Sequence, residues 1–197
     1  KELEKILKSD NVFINNKFYK KAILVNGDIG VGKTRLLKEV AYLLRMRGRD
    51  VYYSEITEHD NIDLKPMTNI LRQTIKDTPK DIMGKYGSEL ARVLPELKFL
   101  LGMESFNEVT GDRERLRLYD RITKYLEEFS KDRPIYLIID NIEKGNIQFL
   151  YLIDYIMNNI SKCNVLFIIS FNEKIFREGS IVKDILNKWI TRENVEE

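Results

Sequence analysis

Eight consecutive residues, Gly27-Asp28-Ile29-Gly30-Val31-Gly32-Lys33-Thr34, follow the spacing G-x-x-x-x-G-K-[ST]. Glycines so placed let a backbone turn tightly enough for successive N–H groups to converge on anionic oxygens. A helix that starts at the end of the turn adds the positive end of its dipole. Lys33 adds a full charge suited to β- and γ-phosphates, and Thr34 adds a hydroxyl of the kind that ligates Mg²⁺. The chemistry this spacing serves is a grip on a polyphosphate tail. The candidate phosphate-binding set is Gly27, Asp28, Ile29, Gly30, Val31, Gly32, Lys33, Thr34 and Arg35.

A second element is the apolar run Ile135-Tyr136-Leu137-Ile138-Ile139 closed by Asp140. A strand ending in Asp is the Walker B arrangement, with Asp140 joining Thr34 as a metal ligand, through water, because Mg²⁺ keeps much of its hydration shell. Asn141 follows where many hydrolysing enzymes of this architecture carry Glu or Asp, and an amide is no proton acceptor. Hydrolysis is therefore expected to be slow, or to use another carboxylate. Glu143 lies beyond Asn141 and Glu55 ends the second strand; each reads first as an ordinary loop or surface carboxylate and only second as the base. After the fourth strand, Asn172 is the first choice and Ser170 the second for a polar side chain that reaches a γ-phosphate. A plain strand-end turn explains that stretch as well. The catalytic candidates are thus Lys33, Asp140, Asn172, Glu143 and Glu55. His59, the one histidine, reads as a solvated loop residue, and Tyr52, Tyr53, Tyr119 and Tyr125 read as packing.

These groups need a frame. Lys1–Lys8 is patterned as a short helix and Ser9–Phe18 as a polar connector. Strands are expected over Lys21–Asn26, Val51–Ile56, Ile135–Ile139 and Val165–Ile169, each a nearly pure apolar run. Lys33–Arg47 is expected to be helical, with Leu36, Leu37, Val40, Ala41 and Leu44 in one stripe and Gly48 as its stop. Residues 61–111 change character and read as a helical insertion containing Met67–Lys76, Lys80–Tyr86 and Ser88–Leu101. Asp112–Phe129 is amphipathic, with Leu116, Tyr119, Ile122, Leu126 and Phe129 on a common face. Asn146–Ile160 and Ser180–Ile190 complete the helices. Strands alternating with helices imply an α/β fold with a parallel sheet covered on both faces.

The bulk properties narrow the setting. The chain has 197 residues, is 43% hydrophobic and carries a net charge of +2, which suits one domain and gives no sign of DNA binding by this domain. Cys163 alone excludes an internal disulfide and fits a reducing compartment. No apolar run approaches a membrane span and no secretory pattern opens the chain, so a cytoplasmic protein without a membrane partner is expected. The first residue is Lys1, and the chain is expected to be a piece of a longer protein.

The order GDIGVGKT, a long amphipathic helix, SELARVLPEL (Ser88–Leu97), PIYLIIDNIEKGN (Pro134–Asn146) and VLFIISFNE (Val165–Glu173) resembles the ATPase domain of bacterial STAND-type signalling NTPases, a branch related to the AAA+ proteins. The resemblance spans about Lys1 to Ile190, and the phosphate-loop motif belongs to the whole superfamily. It implies ATP or ADP with Mg²⁺ as ligands, C-terminal modules of the same protein as partners, and a homo-oligomer as one available assembly. It also implies a fifth strand and a helical lid, expected beyond Glu197. Relatives carry Asp-Asp where this chain has Asp140-Asn141, and often Arg where Asn172 lies. Adenine is favoured because Phe171-Asn172-Glu173-Lys174 is not a guanine-reading element. A nucleotide switch in signalling or transcription control is the leading reading. An AAA+ ATPase of the DNA initiator or loader type is the alternative, and a small-molecule kinase the third.

Overall fold

The computed structural model describes residues 3–4, 6, 21–57, 64–102, 111–160, 164–175, 179–192 and 195–196. The connector at Ser9–Phe18, His59 and Cys163 lie outside them. Five parallel strands form one sheet: β1 (Ala22–Asn26), β2 (Asp50–Glu55), β3 (Ile135–Asp140), β4 (Val165–Phe171) and β5 (Val195–Glu196), in the spatial order β2-β3-β4-β1-β5. The three central strands are apolar runs because both faces are covered, and every residue of β3 and β4 is buried.

Alternation along the strands sends successive side chains to opposite faces. On one face Ile23, Val51, Tyr136, Ile138, Leu166 and Ile168 pack under helix α1 (Lys33–Met46) through Leu37, Val40, Ala41 and Leu44. Gly48, at φ 72°, then turns the chain, and its N–H closes on the Arg45 carbonyl at 2.9 Å. On the other face lie α2 (Lys65–Ile75), α3 (Lys80–Leu90), α4 (Glu96–Leu101), α5 (Asp112–Phe129), α6 (Ile147–Asn159) and α7 (Ile181–Ile190). An aromatic run ties this layer together. Tyr125 stacks on Phe129 with centroids 5.7 Å apart, Phe129 meets Tyr52 at 6.0 Å, and Tyr86 meets Tyr125 edge-on at 6.1 Å. Tyr52, Tyr119 and Tyr125 are packing residues, as their spacing implies.

Three expectations are corrected. The fifth strand lies within the chain: α7 hands it back to pair Val195 with Ala22 and Glu196 with Ile23. Two residues carry no apolar run, so nothing in the sequence marked them. The stretch Ser88–Leu101 is not one helix, because α3 runs on to Leu90 and α4 begins only at Glu96, after Pro95, whose ring cannot continue a helix. On α5, Leu116 is 53% exposed; the buried face is Leu118, Tyr119, Ile122, Tyr125, Leu126 and Phe129.

Candidate functional site

All four long strands end at one edge of the sheet, and the candidate residues follow those ends. In a parallel open sheet this carboxyl edge is where ligands bind. The loop between β1 and α1 is shaped by its glycines. Gly32 has φ 97° at the helix start, a left-handed conformation that a β-carbon resists. At Gly27 a β-carbon would come within 3.0 Å of the Val31 side chain. The loop is stitched to the end of β4: the Gly27 N–H donates to the Phe171 carbonyl at 3.3 Å, and the Asn26 amide donates to Glu173 at 3.1 Å. Lys174 pairs with Asp28 at 2.6 Å, an exposed pair of small energetic weight. The Lys33 ammonium lies inside the loop, donating to the carbonyls of Gly27 at 2.6 Å and Asp28 at 3.1 Å. Ile29 and Val31 face solvent, and Arg35 is exposed on the first turn of α1.

Asp140 is fully buried. One of its oxygens accepts from the Ser170 hydroxyl, and the other accepts from the Tyr53 hydroxyl at 3.0 Å. Ser170 in turn accepts from the Asn141 N–H at 2.9 Å. The register explains the meeting. Glu55 lies beside Asp140 and Tyr53 beside Ile138, while Ile138 lies beside Ile168. Tyr53, Glu55, Asp140 and Ser170 therefore all point to the face covered by α1, whose first turn carries Lys33 and Thr34. Burial and the Asp140 carboxylate push the Tyr53 hydroxyl above the ordinary phenol range, so it stays a donor.

This donor set fits Mg²⁺. Hydroxyl donors satisfy the lone pairs of Asp140 without cancelling its charge. Among the described residues no ammonium or guanidinium pairs with it, and a buried carboxylate in that condition calls for a cation. An all-oxygen pair of one carboxylate and the Thr34 hydroxyl is the kind that holds Mg²⁺ on a phosphate substrate.

The two spare carboxylates part company. Glu55 is 40% exposed and accepts from Lys38 of α1 at 3.1 Å. Glu143 sits in a single 3₁₀ turn (Ile142–Lys144) that β3 enters through Asn141, whose φ of 61° bends the chain sharply. Its Oε2 is buried and has no hydrogen-bond partner among the described residues. Burial pushes the Glu143 carboxyl above the usual range. Its own N–H, the Lys33 ammonium and the Asn172 N–H pull the other way without outweighing burial. Asn172 is itself buried, and its side-chain oxygen accepts from the Lys174 N–H at 3.1 Å, as expected of a strand-end turn. Ser170 spends its hydroxyl on Asp140 rather than facing outward. Sequence reasoning missed the contact of Tyr53 with Asp140, since a half-buried strand tyrosine carries no sign of what its hydroxyl reaches.

Residues 14–168 match the family model described as an AAA ATPase domain. A search of curated protein sequences gives no match. Among solved structures, a chain of Drosophila ORC bound to DNA superposes with a TM-score of 0.51 at 11% identity, covering 99% of this chain and 87% of that one. Drosophila ORC bound to AT-rich DNA and Cdc6 gives 0.49 at 11% identity, over 99% and 52%. C. elegans PCH-2 gives 0.38 at 18% identity, and this chain spans 98% of itself but 38% of the PCH-2 chain. At such identities the likeness to the first ORC chain concerns the fold.

Proposed function

Because the chain belongs to the AAA ATPase domain family, we propose that it binds Mg-ATP and turns it over slowly, as a nucleotide switch within a larger signalling or transcription-regulatory protein. The observation that carries this reading is the pairing of two charges at one sheet edge. Among the described residues the Lys33 ammonium is held by loop carbonyls, and the buried Asp140 has hydroxyl donors but no cation. A triphosphate with its metal supplies what each lacks.

In this reading the N–H groups of Gly27 to Thr34 and the α1 dipole take the β-phosphate. Lys33 exchanges its carbonyl partners for β- and γ-oxygens. Thr34 and Asp140 would hold Mg²⁺, whose charge would offset that of the phosphoryl group being transferred. In its ionised form Glu143 is the base that would accept a proton from the attacking water as the water oxygen bonds to the γ-phosphorus and the bond to the ADP oxygen breaks. Its buried, unpartnered oxygen supports that role over Glu55, which Lys38 engages. Asn172 is retained as the γ-phosphate contact and Arg35 as a flanking one. With Asn141 in place of the usual acid, turnover is slow, so the γ-phosphate acts for long enough to bias a two-state equilibrium of the larger protein. Its own C-terminal modules, including a lid, and further copies of the chain are the partners that would read that bias.

Titration calorimetry of the intact protein with ATP, with and without MgCl₂, tests this. Micromolar binding that needs Mg²⁺ is expected; absence of binding to both ATP and GTP would remove the reading. The DNA-bound ORC chain and a polar residue, Asn172, at the end of β4 favour one second reading, an ATPase of the initiator or loader type. Filter binding of DNA at several salt concentrations by the intact protein separates the two.

A further inference from the structure

Strand β2 forms the outer edge of the sheet next to β3, and edge strands present backbone groups that need partners. At Tyr53 both groups find the same one. The Tyr53 N–H donates to Gln73 Oε1 at 3.1 Å, and Gln73 Nε2 donates back to the Tyr53 carbonyl at 2.8 Å. The second hydrogen of that amide goes to the Asn69 carbonyl at 2.9 Å, within α2. Three bonds therefore fix the amide, and the amide fixes one residue of the strand from the insertion. The same residue sends its hydroxyl to Asp140. The other donor to Asp140, Ser170, sits on a fully buried central strand and is held in place by the Asn141 N–H. Of the two hydroxyls that orient this carboxylate, only the one from Tyr53 is carried by a strand anchored to the insertion.

We infer that Tyr53 is a positioning residue for the cation-binding carboxylate Asp140, and that Gln73 of helix α2 sets its position, so that the helical insertion is coupled to the Mg²⁺ site. This rests on Asp140 being the Mg²⁺ ligand proposed above. A carboxylate confined by two donors presents a fixed lone pair; with one donor it can rotate within its pocket. The hydroxyl makes a hydrogen bond to a charged group, so its removal is felt by whatever that charge must hold.

The test measures ATP binding by the intact protein as MgCl₂ is raised, for wild type, Tyr53→Phe, Gln73→Leu and the double variant. Tyr53→Phe is expected to raise the Mg²⁺ concentration for half-maximal ATP binding by about tenfold and to leave ATP affinity at saturating MgCl₂ unchanged. Gln73→Leu is expected to move the midpoint in the same direction by a smaller factor, and to add nothing in the Tyr53→Phe background. A merely structural role would lower the melting temperature without moving the Mg²⁺ midpoint, and that result overturns the inference. So does a Gln73→Leu effect that persists without the Tyr53 hydroxyl. If Tyr53→Phe fails to fold, Gln73→Leu decides by itself, since it changes a side chain at the sheet edge. A wild-type protein whose ATP binding ignores Mg²⁺ removes the underlying site, whereas a Mg²⁺-dependent wild type with an unmoved Tyr53→Phe removes only the coupling.

Discussion

Replacing Glu143 by Gln keeps the size of the side chain and removes its charge and its capacity to take a proton. A positioned general base contributes about 10²- to 10⁴-fold to a rate, so hydrolysis should fall by about 100-fold or more, which is ~2.7 kcal/mol of barrier. ATP binding should persist, because the phosphate contacts come from the loop and Lys33. Stability should move the other way. Burial raises the Glu143 carboxyl above its ordinary value of 4.5, so ionising it costs more in the folded protein than in the unfolded chain. The resulting stabilisation is present in full below pH 4.5 and is lost as pH rises through the raised value. The wild type therefore loses this contribution on approach to neutrality and the Gln variant does not, so the melting temperature of Glu143→Gln should exceed that of wild type by a gap that grows as pH rises. Single-turnover hydrolysis with labelled ATP and thermal melts from pH 4 to 8 read both effects. Hydrolysis within about threefold of wild type would refute the role of Glu143. A pH-independent gap would refute the account of its burial.

Lys33→Met should weaken ATP binding by about 100-fold in calorimetry while leaving the melting temperature close to wild type, since the lost partners are loop carbonyls near solvent. Asp154 accepts from the Trp189 indole at 2.9 Å, Arg192 at 2.6 Å and Lys188 at 3.1 Å, and its side chain and that of Arg192 are each 17% exposed. Asp154→Ala should cost about 2–3 kcal/mol in urea unfolding, as it leaves a largely buried guanidinium short of a partner. Burial alone would raise the Asp154 carboxyl, but the three donors outweigh it and hold it below the usual range. That contribution is present above the ordinary carboxylate value and fades as pH falls through the lowered one, so the penalty of Asp154→Ala should shrink in acid. Leu44→Ala, at a fully packed position of α1, should cost about 3 kcal/mol by the same unfolding measurement.

The sequence made plain whatever depends on neighbours along the chain. The loop proposed to bind phosphate is eight adjacent residues with a strand before and a helix after, and β3 and β4 are contiguous apolar runs. The start and end of α5 follow its charged first turn and its apolar period. What stayed hidden depends on partners far apart in sequence. Tyr53 meets Asp140 and Gln73 only after the sheet has assembled in register, and Ser170 reaches Asp140 across a strand pair. The burial of Glu143 follows from the bend at Asn141, a residue whose left-handed conformation carries no obligatory signature. β5 is too short to show a period at all. Leu116 shows the limit of a helical wheel: it lies at the margin of the apolar stripe and is 53% exposed, while Leu118 and Tyr119 are buried.

The unequal dressing of the sheet has a mechanical outcome. Six helices back one face, while among the described residues the opposite face has α1, joined by Ile6. On that face α1 is seated along one stripe from Leu37 to Leu44, and its first turn, with Lys33 and Thr34, lies ahead of that seat. A core change at Leu44, about 16 Å along the axis from Lys33, would shift the seat of the helix whose first turn is proposed to grip the nucleotide, so that grip is tunable from residues that do not touch it.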